Sequence, residues 1–265
     1  MDNLKLNYLL SPYLTIELTN ACNLKCGMCT LRDKDPLSPR FMEETVFEKI
    51  LSGIYGSQLT FSDLRLFWAG EPLLHPKFAR FIQLLACREA ENPKFKLITM
   101  DSNALLLSQE TASLLVKHGK ALKLCLILSL DSLNPETYQK IRKGGDCLTA
   151  IGNIRRLLDI KGSAEFPRIA VQMIVMRENF REVRDFIEYW KPEFEKHGQD
   201  FNLLVNSSVA EKNGVNLRPL TEQDRPALQD AANHLFTDTL INCGIVGSAA
   251  ECSVFSQGGG RYDEK

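Results

Sequence analysis

Six apolar, β-rich runs punctuate the chain: 13–19 (YLTIELT), 64–69 (LRLFWA), 95–100 (FKLITM), 122–130 (LKLCLILSL), 168–176 (RIAVQMIVM) and 201–205 (FNLLV). The fourth and fifth are almost continuously apolar, the pattern of strands buried on both faces of a parallel sheet. Helical spacing fills the intervals. Residues 42–54 place Met42, Val46, Phe47, Ile50, Leu51 and Ile54 on one face, and 180–190 do the same with Phe180, Val183, Phe186, Ile187 and Trp190. Asn134 and Pro135 supply a cap and a first-turn residue for a helix over 134–142. Weaker helical patterns cover 77–90, 108–118, 147–160 and 221–235.

Strand followed by helix, repeated six times, predicts an α/β fold of parallel strands joined by right-handed crossovers. Periodicity allows two closures, an open doubly wound sheet or a barrel-like one. The boundaries expected are an N-terminal extension at 1–12, a core at 13–220, and a C-terminal helix and tail at 221–265, where SQGGGRYDEK reads as flexible chain.

Composition narrows the classes. The 265 residues are 44% apolar and 25% charged, enough for a sizeable core. Lys plus Arg number 32 against 33 for Asp plus Glu, so there is no electrostatic footprint for nucleic acid or an anionic membrane. No apolar stretch is long enough to span a bilayer and no signal-peptide pattern opens the chain, which points to a cytoplasmic protein. In that compartment eight cysteines are a poor disulfide framework. Clustered thiols then suggest metal binding, and scattered ones such as Cys87, Cys125 and Cys147 suggest burial or no special role.

The clustered thiols are Cys22, Cys26 and Cys29, in TNACNLKCGMCT directly after the first strand. Zinc would need a fourth ligand, and the nearest downstream Cys or His is His75 in another loop, a residue read as structural. An iron–sulfur cubane held by three thiolates leaves one iron open to a further ligand. The spacing favours the cubane but suits both metals. Other unusual residues end the remaining strands: AGEP at 69–72, DSNALLL at 101–107, SLDS at 129–132 and MREN at 176–179. Parallel α/β folds place their sites at these carboxyl ends.

Together these motifs resemble the radical S-adenosylmethionine (SAM) enzymes, in the branch of the molybdenum-cofactor and SPASM proteins. C-x3-C-x2-C is that superfamily's signature, with Met28 where an aromatic residue is common. AGEP resembles its G-G-E-P turn, with Ala69 in place of the first Gly, and SNALLL its T-N-G-x-L segment. SLDSLNPETYQKIRKGGD is similar to the branch pattern after the fourth strand, and the similarity covers roughly residues 13–206.

The resemblance implies a (β/α)6 partial TIM barrel. It implies a [4Fe–4S] cluster on Cys22, Cys26 and Cys29, with SAM bound to the open iron. Gly70, Glu71 and Pro72 would hold the methionine amino group, with Asn103 nearby. Ser129 and Asp131 would face the ribose, Arg142 the carboxylate, and the end of VQMIVM the adenine. The implied chemistry is reductive cleavage of SAM to a 5'-deoxyadenosyl radical that takes hydrogen from a substrate, with a flavodoxin or ferredoxin-like protein giving the electron.

A peptide or protein is the first substrate expected. A small alcohol, aminocyclitol or cofactor precursor is the alternative, and a non-catalytic iron–sulfur or electron-transfer module is the second class. The early first strand leaves little room for a leader-peptide-binding domain. The tail offers only Cys243 and Cys252, too few for a second all-cysteine cubane, so a truncated auxiliary-cluster region is expected.

Overall fold

The structure, a computed structural model, describes residues 13–29, 39–201, 203–206 and 241–244. Seven strands, β1 (Tyr13–Thr15), β2 (Asp63–Arg65), β3 (Ile98–Ser102), β4 (Leu124–Ser129), β5 (Arg168–Ile174), β6 (Leu203–Asn206) and β7 (Ile241–Gly244), form one sheet. Every neighbouring pair is parallel and the spatial order equals the chain order. A doubly wound sheet must reverse its strand order at a switch point. This one does not, so right-handed crossovers put all its helices on one face and the other face curls into a lumen. That decides for the partial barrel and against the open sheet.

The six expected strands are present, and β7 is an addition. The sequence reading placed residues 241–244 in the tail, whereas they pair with β6, Val205 opposite Cys243. The β7 sequence, INCG, holds one aliphatic residue and ends in glycine, so no apolar run marks it as a strand. The helix expected over 221–235, the extension at 1–12 and Cys252 lie outside the described residues.

Six α-helices lie among the described residues: α1 (Glu44–Gly56), α2 (Phe78–Glu91), α3 (Gln109–Leu122), α4 (Pro135–Ile141), α5 (Cys147–Lys161) and α6 (Val183–Glu195). Asn134 caps α4 as expected: its Oδ1 accepts from the Glu136 and Thr137 amides, and Pro135 occupies the first turn. Asp146 and Ser108 cap α5 and α3 in the same way. The helix expected from 180 starts three residues later, because Phe180–Glu182 form a 3-10 turn first.

Strand alternation sorts side chains between the two faces of the sheet. Leu64, Leu66, Ile98, Met100, Leu124, Leu126, Leu128, Ile169, Val171 and Met173 join the helices in one continuous core. Ile127 and Ala170 are buried apart from that core, on the lumen side. The same parity puts Asp63, Arg65, Thr99, Asp101, Cys125, Ser129 and Gln172 on the lumen face. The lumen is therefore largely polar above a small apolar plug, whereas the outer layer is packed hydrocarbon.

Candidate active site

The cysteine loop is fixed to the wall by its backbone. Lys25 N donates to Lys143 O at 2.9 Å, and Gly27 N to Ile141 O at 2.7 Å. The loop thus rests on the end of α4. Leu24 and Cys26 are buried, and Cys22 is exposed. Burial pushes the Cys26 thiol up to about 11, while the Arg142 guanidinium works the other way and favours the thiolate. The charges of Cys22 and Cys29 also reach Cys26.

This donor set fits a cubane. Among the described residues no group of three or more His, Cys, Asp or Glu side chains could hold a single metal ion. A cubane spreads its thiolates over separate irons, so its ligands need not meet at one point. His75 is not a fourth ligand. Its Nδ1 accepts from Lys77 N at 3.0 Å, which places the ring proton on Nε2, 3.0 Å from Met42 O. A buried guanidinium beside the thiols supplies positive charge where thiolates and sulfides would bring negative charge. Tyr138 Oη, buried and without a hydrogen-bond partner among the described residues, lies within electrostatic reach of Cys26.

The turn after β2 is held against the cysteine loop. Glu71 N donates to Ala21 O at 2.8 Å, and Ala69 N to Glu17 Oε1 at 2.7 Å. A Cβ on Gly70 would stand 2.1 Å from Thr19 O, so only glycine fits this contact. Pro72 is buried and opens the 3-10 turn Pro72–Leu74. The Glu71 carboxylate is buried and accepts three hydrogen bonds: Leu73 N at 3.1 Å and Ser102 Oγ at 2.8 Å on Oε1, and Asn103 N at 2.8 Å on Oε2. Burial raises its pKa, and the donors from Asn103, Leu73 and Ser102 pull it back. Asn103 is buried too, and its Nδ2 donates to Asn23 Oδ1 at 2.8 Å. Glu71 and Asn103 together join the loops after β1, β2 and β3.

On the other side, Asp131 and Arg142 form a buried pair, Arg142 Nε donating to Asp131 Oδ2 at 2.7 Å. Asp131 Oδ1 accepts from Ile174 N at 2.7 Å, and Asn179 Nδ2 donates to the Asp131 carbonyl at 2.8 Å. Asp131 adopts φ +66°, a left-handed conformation that Asp tolerates better than most residues. Burial opposes the Arg142 charge, yet Asp131, followed by Cys26, holds its pKa above the ordinary value. Ser129 Oγ lies 2.9 Å from Asp101 Oδ1 and 2.7 Å from Gln172 Oε1.

Apart from Arg142, which caps the C-terminal end of α4, the residues expected at the site lie at the carboxyl ends of β1 to β4 or in the loops that follow. Cys22, Cys26, Cys29, Asp131 and Arg142 lie on one side and Gly70, Glu71, Pro72 and Asn103 on the other, joined through Ala21 and Asn23 of the cysteine loop, with Ser129 on the lumen face of β4. Cys87 is exposed on α2, and Cys125 and Cys147 are buried in β4 and at the start of α5, as expected. Sequence reasoning missed Asn23, Ser102, Asp101 and Gln172. The available signal for Asp101 was an acid inside a run that otherwise reads as a buried strand.

The radical SAM superfamily profile matches residues 16–189. The chain belongs to the radical SAM superfamily. Membership brings the superfamily's cofactors, a [4Fe–4S] cluster and SAM. The chain is 32% identical over 185 residues to the GTP 3',8-cyclase of Synechocystis sp., covering 67% of this chain and 50% of the cyclase. It is 27% identical over 218 residues to the tungsten-containing aldehyde ferredoxin oxidoreductase cofactor-modifying protein of Pyrococcus furiosus, covering 80% and 53%. The chain thus spans about half the length of the curated relatives it matches. Streptococcus suis SuiB bound to its precursor peptide SuiA is similar in fold, with TM-score 0.62 and 15% identity over 84% of this chain and 46% of SuiB. Native anSMEcpe with bound AdoMet gives 0.60 and 18% over 84% and 60%. Among the described residues no helix is long and apolar enough to cross a membrane.

Proposed function

We propose that the chain is a radical SAM enzyme acting on a small molecule, in the class of cofactor precursors. The observation that carries this reading is the docking of the cysteine loop on residues 141–143, which brings Cys22 and Cys26 within electrostatic reach of the buried Arg142 guanidinium. The preference for a small molecule comes from the curated relatives, whose names describe a nucleotide cyclase and a cofactor-modifying protein. The peptide expectation gives way, because peptide-bound structures of similar fold share only 15% to 19% identity and speak for the fold alone.

In this reading Cys22, Cys26 and Cys29 hold the cluster, which when bound supplies the electron that cleaves SAM. Arg142, kept charged by Asp131, receives the cofactor's carboxylate. Glu71 takes the amino group. A carboxylate has about four acceptor sites, and the chain's own donors use three of Glu71's. Its position is thereby fixed while one site stays open to an ammonium. Ser129 faces the ribose from β4. A flavodoxin or ferredoxin-like protein is the proposed electron donor.

The test is anaerobic. Reconstituted, dithionite-reduced protein is mixed with SAM, and 5'-deoxyadenosine is measured alone and with GTP as the first small-molecule probe. Formation of 5'-deoxyadenosine is expected. A full iron complement with no product would leave an iron–sulfur binding module instead.

A further inference from the structure

Asp101 lies on β3 at a lumen-facing position, opposite Ile127 of β4. The residue is half-buried. Among the described residues its hydrogen bonding is confined to Oδ1, which meets Ser129 Oγ at 2.9 Å. The same hydroxyl lies 2.7 Å from Gln172 Oε1. A serine hydroxyl has one hydrogen and here faces two acceptor oxygens. With Asp101 ionised, Ser129 donates to Asp101, and the Gln172 contact is satisfied only if the amide turns so that Nε2 donates to Ser129. With Asp101 protonated, the carboxyl donates to Ser129 and Ser129 donates to Gln172, so both contacts are satisfied. A lone pair of Ser129 then remains directed away from both partners.

The surroundings favour the proton. Burial raises the Asp101 pKa to about 7, the Ser129 contact and the Arg142 charge oppose the rise, and Glu71 and Asp131 add to it. Ile127 and Ala170 close the lumen beneath the trio.

We propose that Asp101 is a positioning residue for SAM, holding the Ser129 hydroxyl so that it accepts a hydrogen bond from the cofactor's ribose. The inference rests on the reading above that Ser129 faces that ribose. Asp101 acts here through Ser129 and not on the reacting carbon.

The experiment measures SAM affinity by equilibrium dialysis on anaerobically reconstituted protein from pH 6 to 8, with iron content and melting temperature recorded for every variant. Asp101→Ala is expected to weaken binding about tenfold, the worth of one net hydrogen bond. Asp101→Asn, whose amide donates at any pH, keeps affinity within about threefold. Wild-type affinity falls as pH rises through about 7, and in Asp101→Asn that fall is absent. Glu71, Asp131 and Arg142 face Asp101 in both proteins, so a slope present in one and absent from the other belongs to Asp101. Ser129→Ala in the Asp101→Ala background adds no further loss, because the two act as a unit.

Wild-type protein with full iron that fails to bind SAM overturns the functional reading. Wild-type protein that binds SAM while Asp101→Ala binds equally well overturns this inference alone. So does an Asp101→Asn variant that keeps the wild-type pH slope.

Discussion

Arg142 Nε donates to Asp131 Oδ2 at 2.7 Å, with both side chains buried and a cysteine loop resting on the residues either side of Arg142. The pair sets both the local fold and the charge presented to the thiols. Asp131→Ala removes the anion and leaves the cation buried. Breaking a buried pair in this way costs about 3–5 kcal/mol. Urea unfolding should show a loss of that order. Asp131→Asn, which tolerates the left-handed backbone, should recover part of it. Equal stability in all three proteins would mean that solvent reaches the pair.

Glu71 ties two loops before it touches any ligand. Glu71→Ala orphans the Asn103 amide and the Ser102 hydroxyl, so it should lower stability by about 2 kcal/mol or more as well as weakening SAM binding. Glu71→Gln keeps the acceptor oxygen and should separate the effects, retaining more stability than Glu71→Ala while losing the attraction for an ammonium. Iron content should stay at the wild-type level in Glu71→Gln. Calorimetric titration with SAM and a denaturant curve on each variant check the division.

Gly70 is defined by space. A Cβ at this position would come within 2.1 Å of Thr19 O, which leaves no room for any side chain, and backbone is what it would meet. Gly70→Ala should push the turn away from the cysteine loop and cost about 1–3 kcal/mol, as overpacking does. Gly53→Ala is the control, since nothing lies within 4 Å of its Cβ position and it sits in α1. It should be neutral or slightly stabilising. Thermal melts of the two variants beside wild type check the contrast.

Stability should depend on pH through Asp101. Its pKa is about 7 in the fold against an ordinary value of 3.8, so the native state holds the proton more tightly than the unfolded chain. Its contribution is greatest below about pH 4 and declines as pH rises toward 7, by up to about 1.4 kcal/mol per unit. Glu71 is shifted in the same direction. Asp101→Asn should flatten part of the decline and be more stable than wild type at pH 8. Urea midpoints at pH 5 and 8 decide this.

The metal content has a definite expectation. Cys22→Ala, Cys26→Ala and Cys29→Ala should each abolish SAM cleavage. Wild-type protein should carry about four irons, unchanged in a Cys243→Ala/Cys252→Ala variant. Cys243 lies in β7. About eight irons falling to about four in that variant would assign the two thiols to a second cluster. Zinc in place of iron would overturn the cubane.

The sequence by itself determined the elements that rest on local chemistry. Apolar runs marked β1 to β6, and Asn134 with Pro135 marked the start of α4, because caps and alternation need only neighbouring residues. The thiol spacing identified the cluster loop for the same reason, all its donors lying within eight positions. Only the tertiary structure decided what those elements meet. The sequential strand order selected a barrel over an open sheet, and strand order is a property of pairing that periodicity does not carry. The bond from Asn103 to Asn23 joins residues 80 positions apart, and Ser129 meets Gln172 across 43. The first exists because the loops after β1 and β3 meet at one rim, and the second because β4 and β5 pair with Ser129 opposite Gln172. Asp101 is legible along the chain as an acid in a strand. Its partners on β4 and β5 come from strand pairing, which sets Ser129 opposite Gln172 and within reach of Asp101.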